Sequence, residues 1–317
     1  MTISQPHTLT SVRKLFNIDS DIDVPVFEDT SDHVPQIDEN YYFDKDTTLA
    51  ILTGFIHNKH VLLQGYHGTG KSTHVEQVAA RLNWPLVRVN LDGHISRIDL
   101  IGRDSITLKD GLQVTEFQEG ILPWAVQRPC AILFDEYDAA RPDVMFVLQR
   151  ILEVRGKLTL LDQNKVITPH SEFRIFATSN TVGLGDATGM YHGTNLINQG
   201  QMDRWPIVAQ LNYVDAQHEE KIVATYAPTL DQSLITRLVS MAQLIRHAFT
   251  HGDVSNVMSP RAVINWAENI VLFNHDIQLA FKYAYMNKCD ASEHIILSEF
   301  YQRVFNETLE YQTLQAV

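Results

Sequence analysis

The feature that most constrains this 317-residue chain is a glycine-rich segment, residues 65–72, which matches the pattern G-x-x-x-x-G-K-S. The apolar residues 61–63 precede it, and residues 73–82 follow with apolar positions at every third or fourth residue. A strand, a glycine-rich loop and a helix, in this order, form the context in which such a loop binds phosphate groups. We therefore predict a nucleoside triphosphate site here, and a glycine turn that binds nothing is the disfavoured alternative.

Each part of the loop has an expected role in holding the nucleotide. Backbone N–H groups would point at the phosphate oxygens, and the following helix would add the positive end of its dipole. Lys71 would reach the β and γ phosphates of ATP, and the Ser72 hydroxyl would bind Mg²⁺. The predicted nucleotide-binding residues of the loop are Gly65, Tyr66, His67, Gly68, Thr69, Gly70, Lys71, Ser72 and Thr73.

The composition argues against several classes of protein. No run of 18 apolar residues is present, so we expect no membrane-spanning helix. The two cysteines, Cys130 and Cys289, are far apart and are expected to be buried thiols in the reducing cytoplasm. The net charge is −13, and residues 19–46 contribute −9 of it through ten acids and one lysine. Acidic surfaces repel phosphates, so we expect no nucleic acid partner, and the acidic segment is either a solubilising tail or a docking arm for a basic partner.

The pattern of apolar residues divides the chain into three parts. Residues 1–45 are predicted to be an acidic N-terminal element with an extended connector. Residues 46–212 alternate apolar runs with helical patterns, which predicts an α/β domain with a five-stranded parallel sheet flanked by helices. Residues 213–317 have helical patterns only and are predicted to be an all-helical domain. The expected strands are 60–64, 86–90, 131–135, 173–179 and 206–211, and the expected C-terminal helices include 215–226, 231–249 and 260–272.

A second apolar run, residues 131–134, ends in two acids, Asp135 and Glu136. Open α/β sheets bind ligands at the carboxyl ends of their strands, so these acids are expected beside the glycine-rich loop. Asp135 is suited to hold Mg²⁺ together with Ser72, and Glu136 is suited to polarise the attacking water. The sequence therefore predicts that the bound nucleotide is hydrolysed.

Three further polar residues are candidates on weaker local evidence. Asn180 follows the apolar strand pattern 174–178 and would orient the attacking water, or it simply caps the following turn. Arg204 precedes the fifth expected strand, where it either completes a neighbouring subunit's site or forms a surface ion pair, for instance with Asp203. Arg261 follows a Ser-Pro helix start, from which it would reach the phosphates.

Together these motifs resemble those of AAA+ ATPases over about residues 46–270, and specifically of the MoxR-like group. The resemblance assigns the roles Walker A to 65–72, Walker B to 131–136, sensor 1 to Asn180, arginine finger to Arg204 and sensor 2 to Arg261. The stretches that resemble the helix-2 insert and the hairpin before sensor 1 of that group are 99–102, 114–123, 153–160 and 165–167.

The resemblance is closer still to one family, the small ATPase subunits of aerobic cobaltochelatases. It runs nearly from end to end, through residues 16–21, 34–35, 65–74, 80–85, 134–139, 180–186, 191–194 and 201–205. It implies a homo-oligomeric ring, a hexamer, that hydrolyses ATP with Mg²⁺. It also implies two partners, a cobaltochelatase subunit with a von Willebrand A-like domain and the large cobalt-chelating subunit. That large subunit inserts Co²⁺ into hydrogenobyrinic acid a,c-diamide on the route to cobalamin.

Other interpretations share the ATPase chemistry or the fold. A MoxR-type chaperone would use the same chemistry to activate another metalloenzyme, because fold alone does not fix the client. A DNA motor is disfavoured by the acidic charge, and a non-hydrolysing scaffold is disfavoured by Glu136. One position departs from the wider MoxR-like pattern, in which many members carry an arginine three residues after this glutamate. Here that residue is Ala139.

Fourteen histidines raise the question of a cobalt site on this chain. His247 and His251 share a helix face, but Gly252 follows directly, so we expect them to meet the negative end of the helix dipole. His57 and His60 flank a turn before the first expected strand and are expected to be exposed. Mg²⁺ bound with the nucleotide is therefore the metal that the sequence predicts.

Overall fold

A computed structural model of the chain describes residues 8–110, 112–181 and 194–310. The chain forms two compact units. The first comprises Met1–Glu39, Phe43–Tyr66 and Gly70–Leu211, and the second comprises Asn40–Tyr42, His67–Thr69 and Asn212–Val317. Apolar residues are buried in clusters within each unit.

The first unit is built around a five-stranded parallel sheet. Its elements in chain order are β1 (Thr8–Ser11), α1 (Val12–Phe16), β2 (Asp23–Val26), α2 (Lys45–His57), β3 (Val61–Gln64), α3 (Lys71–Arg81), β4 (Leu86–Asn90), α4 (Arg97–Ile101), β5 (Gly102–Lys109), β6 (Leu112–Glu119), α5 (Ile121–Val126), β7 (Ala131–Asp135), α6 (Pro142–Ile151), β8 (Leu158–Leu160), β9 (Lys165–Ile167), β10 (Arg174–Ser179), α7 (Gln199–Met202) and β11 (Ile207–Gln210). The strand order across the sheet is β11-β3-β10-β7-β4, and every neighbouring pair is parallel. The predicted α/β class is confirmed, and the five expected strands agree with the observed ones to within one residue at each end.

Both faces of this sheet are covered, which explains why its inner strands are apolar runs rather than alternating patterns. Strand β3 is buried along its whole length. Its successive residues point to opposite faces, so Leu62 enters one apolar cluster while Val61 and Leu63 enter the other. The carboxyl ends of the strands are thereby held in register at one edge of the sheet.

The N-terminal segment is more regular than the expected connector. Strand β1 pairs antiparallel with β2, and α1 lies between them. The apolar residues Val12, Phe16 and Phe27 are buried in the same cluster as Leu63. Phe27 also meets Trp84 edge to face, with 4.7 Å between ring centroids. Burial of these apolar side chains stabilises the segment, whereas the surrounding acids remain on its surface.

Two antiparallel hairpins of the first unit lie at the stretches that resemble MoxR-like inserts. Strands β5 and β6 pair from Gly102 opposite Glu119 to Lys109 opposite Leu112. Strands β8 and β9 form the second, shorter hairpin before β10. The structure thus bears out a hairpin at residues 158–167.

The second unit is helical in its described C-terminal part, as expected. Its helices are α8 (Ala216–Tyr226), α9 (Gln232–His251), α10 (Pro260–Leu272), α11 (Ile277–Ala284) and α12 (His294–Phe305). Their apolar faces surround Trp266 and Phe281, whose ring centroids are 4.8 Å apart. Glu219 is fully buried and accepts two hydrogen bonds of 2.6 Å from the Arg246 guanidinium, which compensates for its desolvation. Among the helices of the described ranges, none is long and apolar enough to cross a lipid bilayer.

Candidate active site

Three parallel strands deliver the main predicted residues to one edge of the sheet. Strand β3 ends before Gly65, β7 ends at Asp135, and β10 ends before Asn180. Because β10 lies between the other two and all three are parallel, their carboxyl ends meet at the same edge. The glycine-rich loop turns there into α3, and Gly68 and Gly70 adopt left-handed backbone conformations, with φ of 74° and 88°. Glycine takes up these conformations without the steric cost that a Cβ atom would add.

Lys71 is the first residue of α3 and is buried. Its Nζ donates to the carbonyl oxygens of Gly65 at 2.7 Å and Tyr66 at 2.9 Å. A third hydrogen bond, of 2.8 Å, joins Nζ to the Asn180 Oδ1 atom. Burial lowers the pKa of Lys71 to about 8, against the opposing effect of Asp135 and the other nearby carboxylates. Lys71 and Asn180, two of the predicted site residues, are thus in direct contact. The negative charge of a bound phosphate would stabilise the charged form of the Lys71 ammonium group.

The Ser72 hydroxyl donates to Asp135 Oδ1 at 2.6 Å. Thr178 donates to the same oxygen, while the Arg88 guanidinium donates twice to the other oxygen, Oδ2. Burial raises the pKa of Asp135, but these hydrogen bonds and the Arg88 cation together hold it below its ordinary value. An ionised carboxylate beside a serine hydroxyl is a set of hard oxygen donors, which fits Mg²⁺ with its retained waters.

Glu136 lies directly after Asp135 at the end of β7. Its backbone is left-handed, with φ of 56°, a conformation that non-glycine residues adopt at a cost. Its backbone N–H donates to Thr178 Oγ1 at 3.1 Å, which holds the turn. Burial and the neighbouring carboxylates of Asp135, Asp138 and Asp92 raise the pKa of Glu136. A carboxylate of raised pKa is better suited to accept a proton from water.

Asp138 was missed by the sequence reasoning and connects two of the predicted residues. It is buried, and its Oδ2 accepts from the backbone N–H groups of Asn180 at 3.1 Å and Thr181 at 2.8 Å. The Thr181 hydroxyl adds a third hydrogen bond of 2.8 Å. Asp138 follows Glu136 by two residues, so it ties the turn after β7 to the loop after β10. A third acid so close to Asp135 and Glu136 was the available sequence signal.

Arg88 and Thr178 were also missed. Arg88 interrupts an otherwise apolar run, residues 86–89, and that interruption was the only sign of it in the sequence. Thr178 lies within the buried strand β10, where its hydroxyl could as well have bonded the backbone. Both residues were found only because the structure gives the sheet register.

Arg204 lies far from this group, because it precedes β11 and is therefore at the amino edge of the same parallel sheet. Its guanidinium donates to the Gly200 carbonyl oxygen, and its Nη2 is 3.5 Å from Glu153 Oε1. The ion pair with Asp203 that we considered is not the one observed, since the partner is Glu153. His60, expected to be exposed, is partly buried with its Nδ1 3.3 Å from the Arg204 carbonyl oxygen, and burial lowers its pKa.

The remaining predicted residues are distributed as follows. Tyr66 is 37% exposed, and Thr73 is exposed in the first turn of α3. His67, Gly68 and Thr69 are grouped with the second unit, as is Arg261 in the first turn of α10. That helix begins as expected, with the Ser259 side chain accepting from the Ala262 backbone N–H. Residues 182–186 and 191–193, which contributed to the family resemblance, lie outside the described residues.

In the part of the chain that the structure describes, the cysteines and histidines outside this site show no arrangement suited to a metal. Within the described residues, no group of three or more His, Cys, Asp or Glu side chains could hold a metal ion. His251 Nδ1 contacts the His247 carbonyl oxygen at 2.8 Å, at the end of α9 before Gly252. Cys130 is buried as expected, and Cys289 is only partly buried.

Comparison with known proteins identifies the family. The family described as "Cobaltochelatase CobS subunit N terminal" matches residues 1–34, and "AAA domain (dynein-related subfamily)" matches residues 60–191. The aerobic cobaltochelatase subunit CobS of Sinorhizobium sp is 58% identical over 309 residues, which cover 96% of this chain and 93% of that protein. The chain belongs to the CobS family.

More distant relatives of this CobS-family chain agree with the MoxR-like resemblance. The family described as "CbbQ/NirQ/NorQ C-terminal" matches residues 219–295. The denitrification regulatory protein NirQ of Stutzerimonas stutzeri is 30% identical over 214 residues, which cover 68% of this chain and 73% of that protein. Among solved structures, the RuvB Holliday junction branch migration motor of Thermotoga maritima aligns with a TM-score of 0.47 and 15% identity, over 75% of this chain and 67% of that one. The AAA fold assignment rests on the domain match and the observed sheet.

Proposed function

We propose that this protein is the ATP-hydrolysing motor subunit of an aerobic cobaltochelatase, which drives insertion of Co²⁺ into hydrogenobyrinic acid a,c-diamide. The observation that carries the proposal is the 58% identity to a CobS subunit over nearly the whole of both chains. The MoxR-type chaperone of another metalloenzyme is not favoured, because the identity to NirQ is only 30% over a shorter alignment. Co²⁺ is here a substrate of the complex rather than a resident of this chain.

The geometry at the carboxyl edge supports ATP hydrolysis. Lys71 would hold the β and γ phosphates, with the loop residues 65–70 and Thr73 around them. Ser72 and Asp135 would hold Mg²⁺, which when bound neutralises charge that develops on the phosphate oxygens. Asn180 contacts Lys71 and would orient the attacking water, and Glu136 would accept its proton. Arg261, to which the family resemblance assigns the sensor 2 role, would contact the phosphates.

A ring is proposed because Arg204 and Lys71 lie at opposite edges of one parallel sheet. An arginine finger must touch the transferring phosphate, and Arg204 is separated from its own chain's loop by the whole length of the strands. Arg204 would therefore serve the nucleotide of a neighbouring copy, as in a homo-oligomeric ring, for which a hexamer is the proposed size. The subunit with a von Willebrand A-like domain would couple this ring to the large chelating subunit.

The test is reconstituted cobalt insertion, followed by the absorbance change of the corrin. The assay would combine this protein, ATP, Mg²⁺, the large chelating subunit and the von Willebrand A-like partner, with Glu136→Gln as the matched variant. We expect insertion that requires this chain and is lost with Glu136→Gln. ATP hydrolysis by the wild type without any insertion would leave the ATPase in place and assign the client to another metalloenzyme.

A further inference from the structure

Arg88 donates two hydrogen bonds to Asp135, although none of the proposed steps uses Arg88. It lies on β4, the edge strand that pairs with β7, with Asn90 opposite Asp135. Its Nε and Nη2 atoms both donate to Asp135 Oδ2, the former at 2.8 Å. Its third nitrogen, Nη1, is 3.4 Å from Glu76 Oε1 on α3. The guanidinium therefore bridges the helix after the phosphate loop and the proposed Mg²⁺ carboxylate.

The two carboxylate oxygens of Asp135 accept hydrogen bonds from different kinds of donor. Among the described residues, Oδ1 accepts from the hydroxyls of Ser72 and Thr178, whereas Oδ2 accepts from the Arg88 guanidinium. A carboxylate held by a charged, planar donor cannot rotate freely about its last torsion. The side chain of Asp135 is only 9% exposed, so water cannot readily replace that donor. The oxygen that faces Ser72 is consequently fixed by a contact on the opposite oxygen.

We propose that Arg88 is a positioning residue for Mg²⁺–nucleotide binding: by holding Oδ2 of Asp135, it keeps Oδ1 directed at Ser72, and Glu76 steadies the guanidinium from the other side. The inference rests on the proposed role of Ser72 and Asp135 in holding Mg²⁺. It assigns Arg88 no contact with the nucleotide. Partners of metal ligands orient those ligands, and their removal commonly weakens metal affinity 10- to 100-fold.

Positioning and charge repulsion predict opposite changes in Mg²⁺ affinity when Arg88 is removed, so the direction of the change tests the inference. A positive charge beside a metal site repels the metal, so a residue that acted through charge alone would weaken Mg²⁺ binding, and its removal would strengthen it. Positioning predicts that removal weakens Mg²⁺ binding. Lysine keeps the charge but cannot form the paired hydrogen bonds of arginine, so Arg88→Lys separates geometry from charge.

The experiment is a titration of Mg²⁺ into the isolated full-length protein with a fluorescent, non-hydrolysable ATP analogue. The readout is the Mg²⁺ concentration that gives half of the Mg²⁺-dependent increase in nucleotide affinity, so it does not depend on turnover. For Arg88→Gln we expect this concentration to rise about tenfold. Arg88→Lys is expected to show most of that rise. Binding of the analogue in excess chelator should change less than about twofold, because Arg88 does not contact the nucleotide.

A second variant protects the test from a misfolded protein. Glu76→Gln leaves Arg88 and Asp135 in place and removes only the negative charge of the outer contact, so we expect a smaller rise, about two- to threefold. An unchanged or lower half-saturating Mg²⁺ concentration in Arg88→Gln, or wild-type behaviour of Arg88→Lys, would overturn the inference while leaving the proposed Mg²⁺ site intact. Absence of any Mg²⁺ dependence in the wild type would overturn both the inference and the metal assignment.

Discussion

The carboxyl edge of the central sheet, where its strands end, and the amino edge, where they begin, differ in how completely their functional residues are partnered. At the carboxyl edge, Lys71, Ser72, Asp135 and Asn180 are joined by hydrogen bonds within one chain. At the amino edge, Arg204 contacts Glu153 and lines a cleft of about 950 Å³ that also contains Lys59 and Lys157. We infer that one chain supplies a complete set of groups to hold the nucleotide, whereas the arginine becomes useful only when another chain fills its cleft.

The largest expected effect comes from removing that arginine. Arg204→Ala should reduce ATP turnover about 1000-fold, the lower end of what an arginine finger contributes. ATP affinity should stay nearly unchanged, because Arg204 is at the opposite edge from its own nucleotide site. Phosphate release at saturating ATP and equilibrium nucleotide binding measure the two quantities. Lys59→Ala removes another cation of the same cleft and serves as the matched control, with turnover expected close to wild type.

Mixing two inactive variants tests the comparison directly. An Arg204→Ala subunit keeps Glu136, and a Glu136→Gln subunit keeps Arg204, so a mixed ring would contain interfaces in which both groups are intact. Turnover should therefore reappear on mixing. If the mixture stayed as inactive as each variant alone, while nucleotide binding and assembly were normal, Arg204 would not act between subunits.

Glu136→Gln is expected to have the next largest effect. Glutamine keeps the size of the side chain but cannot accept the proton of the attacking water, so turnover should fall at least about 100-fold. ATP binding should persist, since Lys71 and Asp135 are unaltered. Phosphate release provides the measurement, and Asp143→Asn, at an exposed acid at the start of α6, provides the control. A Glu136→Gln variant with near wild-type turnover would remove Glu136 as the base.

The difference between the edges also explains what the sequence could predict. Gly65, Asp135 and Asn180 were predictable, because each follows an apolar run and parallel strands bring their carboxyl ends together. Arg88 and Thr178 were not, since they reach Asp135 through the register of neighbouring strands. That register places Asn90 beside Asp135 and Ala177 beside Phe134. Local patterns do not specify which strands become neighbours, and here β4 pairs with β7 across more than forty residues.

At the amino edge the sequence was less informative for a different reason. An arginine before a strand has many surface roles, and its local sequence favoured an ion pair with Asp203 over the observed contact with Glu153. His60 was expected to be exposed because it follows a turn, but the backbone around Arg204 covers it. Tertiary contacts decided both cases, and neither residue lies in a motif whose spacing carries that information.

Asp138 offers a finer test of how the carboxyl edge is held together. Asp138→Ala removes the acceptor for three hydrogen bonds from Asn180 and Thr181. Asn180 would then lose its fixed position beside Lys71, and turnover should fall about tenfold through misorientation. ATP affinity should change less than about twofold, since Asp138 does not line the phosphate loop. Steady-state kinetics separate these quantities, with Asp143→Ala as control, and an unchanged kcat would show that Asn180 is held in other ways.

The last prediction concerns the protonation of two histidines, His74 and His60. We expect it to have the smallest effect on activity but a measurable effect on stability. His74 on α3 is buried with its Nε2 2.8 Å from Thr48 Oγ1, and burial lowers its pKa to about 4. His60 at the amino edge has a pKa lowered by burial as well. Both histidines bind protons more readily in the unfolded chain than in the folded one. The free energy of unfolding is therefore highest above pH 6.5, with respect to these two groups, and falls as the pH decreases toward 4.

For His74 this loss amounts to about 2 kcal/mol at pH 5, given 1.36 kcal/mol for each unit of pKa difference. Urea unfolding at pH 7.5 and pH 5 measures it for the wild type and for His74→Gln, which cannot be protonated. The variant should lose less stability between these two pH values, whereas His94→Gln, at an exposed histidine, should behave as the wild type does. If His74→Gln and the wild type lost the same amount, the imidazole of His74 would have to be accessible to protons in the folded chain, and the carboxyl edge would be less tightly closed than its hydrogen bonds indicate.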